Sequence, residues 1–191
     1  MSNLILASSS PYRRALLQRL NLPFECAEPD IDEAVCDGET AIELVQRLSL
    51  EKAAKVAQQY TSHLIIGSDQ VALYNGDILT KPGNYDRAAD QLRQQSGQSV
   101  MFYTGLTLFN SVTKKPETDI VTTEVTFRPL SETDISNYLN VEQPWGCAGS
   151  FKAEGLGVSL FDSINSCDPT ALIGLPLIRL CQMLRGQGVA I

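Results

Sequence analysis

Lys52, Asp69 and Lys81 are the residues of this chain whose surroundings ask for a chemical explanation. Leu64-Ile65-Ile66-Gly67-Ser68-Asp69-Gln70 opens as an apolar run, reads as a buried strand and stops in polar residues. Alternation puts Ile65, Gly67 and Asp69 on one face of that strand. A carboxylate at the end of an apolar strand is costly unless it is paired, binds a metal or faces a cleft. Open α/β sheets hold their ligands beyond the carboxyl ends of their strands. The plain alternative is an aspartate that opens a turn. Residues 71–74 and 78–79 flank Asn75-Gly76, a two-residue hairpin signal that would return the chain to Lys81 beside Asp69. A lysine delivered next to such an aspartate suggests phosphate chemistry.

Lys52 stands in the longest expected helix, residues 40–60, which Thr40 and Glu43 open as a capping box. Val45, Leu48 and Val56 share a face, and Lys52 lies between Leu48 and Val56 at helical spacing. Either its ammonium snorkels to the surface, or it reaches over the apolar face into the cleft that holds Asp69. Near the N-terminus, Leu4-Ile5-Leu6-Ala7 reads as a first strand, and Ser8-Ser9-Ser10-Pro11 as a helix start with serine at the cap. Hydroxyls and backbone amides at that helix start form an anion-binding corner with Arg13 and Arg14 one turn inside. A capped, solvated helix reads the same way. The acidic loop at 28–33 carries oxygen ligands of the kind Mg²⁺ or Mn²⁺ takes, one or two carboxylates beside substrate phosphates; solvated charge is the alternative.

These residues sit in a chain of 191 residues, long enough for one domain or two lobes sharing a core. Hydrophobic residues make up 43% and charged residues 19%, as in ordinary soluble proteins. A formal net charge of −7 argues against nonspecific binding to nucleic acid or to an anionic membrane. Five widely spaced cysteines without a Cys-x-x-Cys pair argue against zinc and disulfide frameworks and fit a reducing compartment. No signal peptide or membrane span is recognisable, so a cytoplasmic location is expected. His63 is the only histidine, which argues against multi-histidine metal sites and His-dependent nucleophilic catalysis. Glycine-rich dinucleotide and Walker patterns are absent. The remaining expected elements are a strand at 24–27, a helix at 85–96 capped by Asn84, and strands at 99–110 and 118–128. They are followed by a helix from Ser131 to about Asn140, a strand at 159–161 and a last helix at 176–184.

Read together, Ala7-Ser8-Ser9-Ser10-Pro11-Tyr12-Arg13-Arg14, Asp32-Glu33, Glu51-Lys52-Ala53, Gly67-Ser68-Asp69-Gln70 and Lys81-Pro82 resemble, in order and spacing, the motifs of the Maf family of nucleoside triphosphate pyrophosphatases. The resemblance covers nearly the whole chain. Gln70 and the Gly149-Ser150-Phe151-Lys152-Ala153-Glu154-Gly155 segment are similar to the YceF-like branch, which hydrolyses 7-methyl-GTP. Tyr12 stands where that branch carries tryptophan, so an aromatic face for a base is kept.

The resemblance implies a single Maf-like domain over 1–191 with a Maf/ITPase-like α/β fold. This would be an elongated mixed β-sheet with flanking helices and two lobes around a nucleotide-binding cleft, usually assembled as a homodimer. It implies catalytic roles for Asp69, Lys52 and Lys81, and substrate contacts from Ser8, Tyr12, Arg13, Gln70 and Glu154. Glu33 and Asp69 would hold a divalent cation, Mg²⁺ or Mn²⁺. Asp69 would orient and deprotonate water, while Arg13, Lys52 and Lys81 with the Ser8–Ser10 backbone would hold the triphosphate. The expected partner is a nucleoside triphosphate, with no nucleic acid and no membrane. Two alternatives stay open, a UTP- or dTTP-cleaving pyrophosphatase of the same family and a nucleotide-binding regulator of cell division that does not hydrolyse its ligand.

Overall fold

Local sequence signals account for most of the elements of the computed structural model, which describes residues 3–191. In chain order these are β1 (Asn3–Ala7), α1 (Pro11–Gln18), β2 (Phe24–Ala27), α2 (Ala41–Ala57), β3 (His63–Tyr74) and β4 (Asp77–Leu79). They continue as α3 (Tyr85–Gln95), β5 (Ser99–Asn110), β6 (Lys115–Phe127), α4 (Glu132–Glu142), β7 (Phe161–Ser166) and α5 (Leu177–Gly186). The strands form one seven-stranded sheet of order β2-β1-β3-β5-β6-β7, with β4 paired to β3. It is a mixed sheet: β1 runs parallel to β2 and β3, whereas β4 is antiparallel to β3 and β7 to β6. This is the α/β class the sequence leads one to expect.

The caps work as the residue types require. Ser10 accepts a hydrogen bond from the Arg13 amide with Pro11 as first helical residue, and Thr40 and Glu43 cap α2 reciprocally, as Ser131 and Asp134 cap α4. Asn75 and Gly76 take φ of 50° and 91° between β3 and β4, the left-handed pair of a tight hairpin.

Three expectations are corrected. β3 does not stop in the polar stretch: it runs through Asp69 to Tyr74, so Asp69 lies inside a long strand and not at its end. The polar residues do not break the strand because Ser68 and Gln70 bond sideways to neighbouring carbonyls, and Val71 and Ala72 are buried again. The strand expected at 159–161 is a 3₁₀ turn, Leu156–Leu160, and pairing with β6 from Phe127↔Phe161 makes residues 161–166 the strand instead. β6 begins at Lys115, earlier than its β-branched residues indicate.

The described chain divides into two compact units. The first holds described residues up to 70, with 104–121 and 168–191, and is a three-layer arrangement. Leu4, Leu6, Leu64 and Ile66 pack one way, onto Leu16 and Leu17 of α1 and Leu177, Leu180, Met183 and Leu184 of α5. The alternate residues Ile5, Ala7 and Ile65 pack the other way, onto Ala53, Val56 and Ala57 of α2. That alternation is the period of two expected of strands buried on both faces. The second unit holds residues 71–103 and 122–167. Its core is a chain of edge-to-face rings, Phe102, Phe151, Phe127 and Phe161, with centroids 4.8–5.7 Å apart. Ala88 and Leu92 of α3 and Ile135 and Leu139 of α4 are buried with it.

Two glycines decide how closely α2 lies on the sheet. A Cβ on Gly67 of β3 would stand 2.1 Å from the Ser49 carbonyl oxygen and 2.9 Å from the Ala53 nitrogen. A Cβ on Gly105 of β5 would stand 2.3 Å from the Val45 carbonyl oxygen. Helix backbone therefore touches strand backbone, and Ser49 Oγ reaches Thr107 Oγ1 on β5 at 3.1 Å. Overpacking of this kind costs about 1–3 kcal/mol or more. Gly67→Ala should lower the free energy of urea unfolding by at least that amount; an unchanged midpoint would contradict the close approach.

Candidate active site

The close approach of α2 brings Lys52 onto the face of β3 that carries Ile65, Gly67 and Asp69. Lys52 is 5% exposed and Asp69 8%, so neither charge is hydrated as a surface group is. The Lys52 Nζ donates to Asp69 Oδ1 at 2.6 Å and lies 2.7 Å from Glu33 Oε1. Of the two readings open for this lysine, snorkelling is excluded, because the ammonium points into the protein and joins two carboxylates. Asp69 Oδ2 has no hydrogen-bond partner among the described residues. One oxygen of the carboxylate is thus fixed by a cation while the other is not.

The opposite face of β3 is stitched to the 168–176 segment. Ser68 Oγ lies 2.8 Å from the Gly105 carbonyl and 2.9 Å from that of Gly174. The same Gly174 carbonyl accepts the Arg13 Nε–H at 2.8 Å. Gly174 has φ of 114°, and a Cβ there would sit 3.3 Å from Arg13 Nε, so this position favours glycine twice over. Burial pulls the Arg13 pKa below the usual arginine value, and the nearby Asp69 and Glu33 charges oppose that shift; a guanidinium stays protonated regardless. Its Nη donors have no hydrogen-bond partner among the described residues.

Ser8 and Ser10 are in part committed to the helix start: Ser8 Oγ accepts the Ser10 amide at 3.1 Å, and Ser10 Oγ that of Arg13 at 3.4 Å. Tyr12, in the first turn of α1, is 37% exposed. The Gln70 amide nitrogen lies within 2.8–3.1 Å of Thr104 Oγ1 and the Ala171 and Leu172 carbonyls. Its donors are therefore occupied by the fold, which leaves only Oε1 for a ligand.

The segment Asp168–Pro176 escaped sequence reasoning as part of this site. Asp168, 1% exposed, accepts the Thr170 amide and hydroxyl on Oδ1 and the Ile178 and Arg179 amides on Oδ2. It caps α5 from a distance and fixes the loop whose carbonyls hold Gln70 and Arg13. The only sequence signal was Asp168-Pro169, which reads as a turn.

Lys81 and Glu154 belong to the second unit, and both are exposed. Glu154 rides a loop that is held firmly: the Lys152 amide donates to the Tyr138 hydroxyl at 3.0 Å and the Leu156 amide to Glu142 Oε1 at 2.7 Å. Burial raises the Tyr138 pKa above its usual value, which keeps that hydroxyl neutral. A Cβ on Gly157 would meet the Lys152 carbonyl oxygen at 2.3 Å, so glycine permits the loop to close.

A family model described as Maf-like protein matches residues 3–187. The chain belongs to the Maf family. Curated relatives named 7-methyl-GTP pyrophosphatase, from Pseudomonas savastanoi pv. phaseolicola and from Pseudomonas aeruginosa, are each 58% identical over 191 residues, covering 100% of both chains. Among solved structures the Staphylococcus aureus Ham1 protein superposes with a TM-score of 0.56 at 12% identity, covering 97% of this chain and 100% of that one. That likeness speaks for the fold.

The residues of this Maf chain suit a small hard cation. No cluster of three or more His, Cys, Asp or Glu side chains that could hold a metal exists among the described residues. Glu33 and Asp69, however, already converge on one positive charge, the Lys52 ammonium. Two carboxylates with phosphate oxygens completing the shell is how Mg²⁺ is commonly held. The donor set fits.

Removing one partner of a buried ion pair costs about 3–5 kcal/mol because the other charge is stranded. Lys52→Met should destabilise the protein on that scale, and adding Asp69→Asn should restore part of the loss. Urea unfolding of both single variants and the double variant measures this. Strictly additive losses would mean that the two side chains do not depend on each other.

Proposed function

We propose that this chain hydrolyses 7-methyl-GTP between its α- and β-phosphates, releasing 7-methyl-GMP and pyrophosphate. The observation that carries this reading is the 58% identity, over the full length of both chains, to relatives named 7-methyl-GTP pyrophosphatase. The geometry of the first unit supports it. Asp69, fixed through Oδ1 by Lys52, offers Oδ2 to a water molecule and takes its proton as the oxygen attacks. The anhydride bond breaks with its electron pair leaving on pyrophosphate. Arg13, oriented by Gly174, presents its Nη donors to the phosphates and offsets the charge that grows on the leaving group. The amides and hydroxyls at the start of α1 add to the anion's cradle. Mg²⁺ or Mn²⁺ bound at Glu33 and Asp69 would supply charge neutralisation and polarisation of the phosphate oxygens.

Lys81 is assigned to phosphate binding and Glu154 to the base on the family resemblance. A carboxylate accepts both N1–H and the 2-amino group of guanine, a donor pair adenine lacks. Tyr12 can stack on the cationic 7-methylated ring, a contact worth about 0.5–2 kcal/mol. A homodimer working in the cytoplasm belongs to the same reading; no described helix is long and apolar enough to cross a membrane.

Incubation with 7-methyl-GTP and Mg²⁺ or Mn²⁺ should release pyrophosphate, and faster than GTP, UTP or dTTP does. Asp69→Asn should reduce turnover by about 10²- to 10⁴-fold, with nucleotide affinity retained. Glu154→Gln should weaken guanine preference more than phosphate binding. Faster cleavage of UTP or dTTP than of the methylated nucleotide would overturn the substrate while sparing the reaction class.

A further inference from the structure

Glu33 meets Lys52 from a stretch that has almost nothing apolar to hold it. Residues 32–38 are all exposed. Ordering such backbone costs conformational entropy, and no hydrophobic burial offsets it here. A polar fastening must do so, and Arg47 of α2 supplies it. Its Nε and Nη2 grip the two Glu39 carboxylate oxygens at 2.6 and 2.8 Å. Nη2 also donates to the backbone carbonyl of Ala34, next in sequence to Glu33, at 2.9 Å. Nη1 reaches Glu51 Oε2 at 3.3 Å.

Glu39 in turn closes the loop on itself. Its Oε2 accepts the Cys36 amide at 3.0 Å, its own amide donates to the Cys36 carbonyl at 3.0 Å, and Asp32 Oδ1 accepts the Ala34 amide at 2.9 Å. Exposed single ion pairs contribute little, but this one is bidentate, anchored to backbone, and has only 8% of the Glu39 side chain exposed. Hydrogen bonds from Arg47 and from the Cys36 amide hold the Glu39 carboxyl down to about 2, so the grip stays charged at any pH near neutral.

We propose that Arg47 is a positioning residue for the hydrolytic site: by holding the 34–39 loop against α2 it sets the Glu33 carboxylate on Lys52, and through Lys52 it steadies Asp69. The inference rests on the hydrolytic role given above to the Lys52–Asp69 pair. The geometry explains why one helix carries both residues. Arg47 and Lys52 are five positions apart, about 7.5 Å along the axis, so the loop is fastened and its carboxylate received on the same rigid element. Lysine cannot replace Arg47, because a single ammonium cannot fork across Glu39 and still reach Ala34.

The test compares Arg47→Met, Arg47→Lys and Glu39→Gln, the first also in a Glu33→Gln background. Exchange of the bonded Ala34, Cys36 and Glu39 amides should rise about ten-fold or more in Arg47→Met, while the Ile65 and Ile66 amides keep their protection. The kcat/KM for 7-methyl-GTP should fall by about the factor that Glu33→Gln causes, with no further loss when the two are combined. Arg47→Lys should fail to restore either quantity, and Glu39→Gln should reproduce both in weaker form. Unchanged exchange at 34–39 would overturn the proposal, as would losses that multiply in the double variant, the mark of a purely structural role. If the wild type cleaves no nucleotide, the substrate reading fails by itself, and the exchange measurements alone decide whether Arg47 orders the loop.

Discussion

A buried ammonium faces a buried carboxylate in this protein because, at two glycines, helix backbone rests directly on strand backbone. Gly67 on β3 and Gly105 on β5 let α2 descend until its carbonyl oxygens occupy the space where two methyl groups would be. One turn further along α2, Lys52 then falls within hydrogen-bond distance of Asp69. A side chain at either glycine would lift the helix, and the lysine would lose the carboxylate that makes its burial tolerable. Packing and chemistry here are one constraint.

Around that contact the first unit arranges polar groups on both faces of a strand otherwise buried among aliphatic residues. Asp69 takes the α2 side, whereas Ser68 and Gln70 take the other and are satisfied by carbonyls of Gly105, Ala171, Leu172 and Gly174. The Ala171, Leu172 and Gly174 carbonyls stand where they do because Asp168 ties their loop to the first amides of α5. The Gly174 oxygen then orients Arg13. A buried aspartate thus fixes, through one loop, the carbonyl that orients the Arg13 guanidinium.

Charge follows the same economy. The protein as a whole carries a formal −7, which repels an anionic nucleotide at long range. The two cations Lys52 and Arg13 lie beside the two carboxylates Asp69 and Glu33, so their formal charges balance. A divalent cation drawn by the carboxylates would tip that balance toward attraction. The pairing of acids with bases keeps this cluster from being a simple basic patch.

Much of this was legible in the residues alone. Caps at Ser10, Thr40, Asn84 and Ser131, the Asn75-Gly76 turn and the long apolar periodicities are local, so nearest-neighbour physics determined them. Lys52 and Asp69 stood out because each is a charge on an apolar element, whereas Arg13 and Glu33 read equally well as solvated charges and were singled out by the family resemblance. The sequence could not say that Lys52 pairs with both carboxylates, because they lie at the ends of separations bridged only by α2 docking on β3. Nor could it say that β3 continues past Asp69, since the partners that satisfy Ser68 and Gln70 come from the far end of the chain. Residues 161–166 became a strand because β6 offered an edge, not because their own pattern demanded it. Asp168 read only as part of a turn, and Gly174 and Arg47 carried no signal for the site; tertiary contacts alone gave Asp168 the amides of α5 and Arg47 the Glu39 carboxylate. What is local in the chain was decided by residue type, and what depends on two distant segments meeting was decided by the fold, where desolvation makes each pairing obligatory.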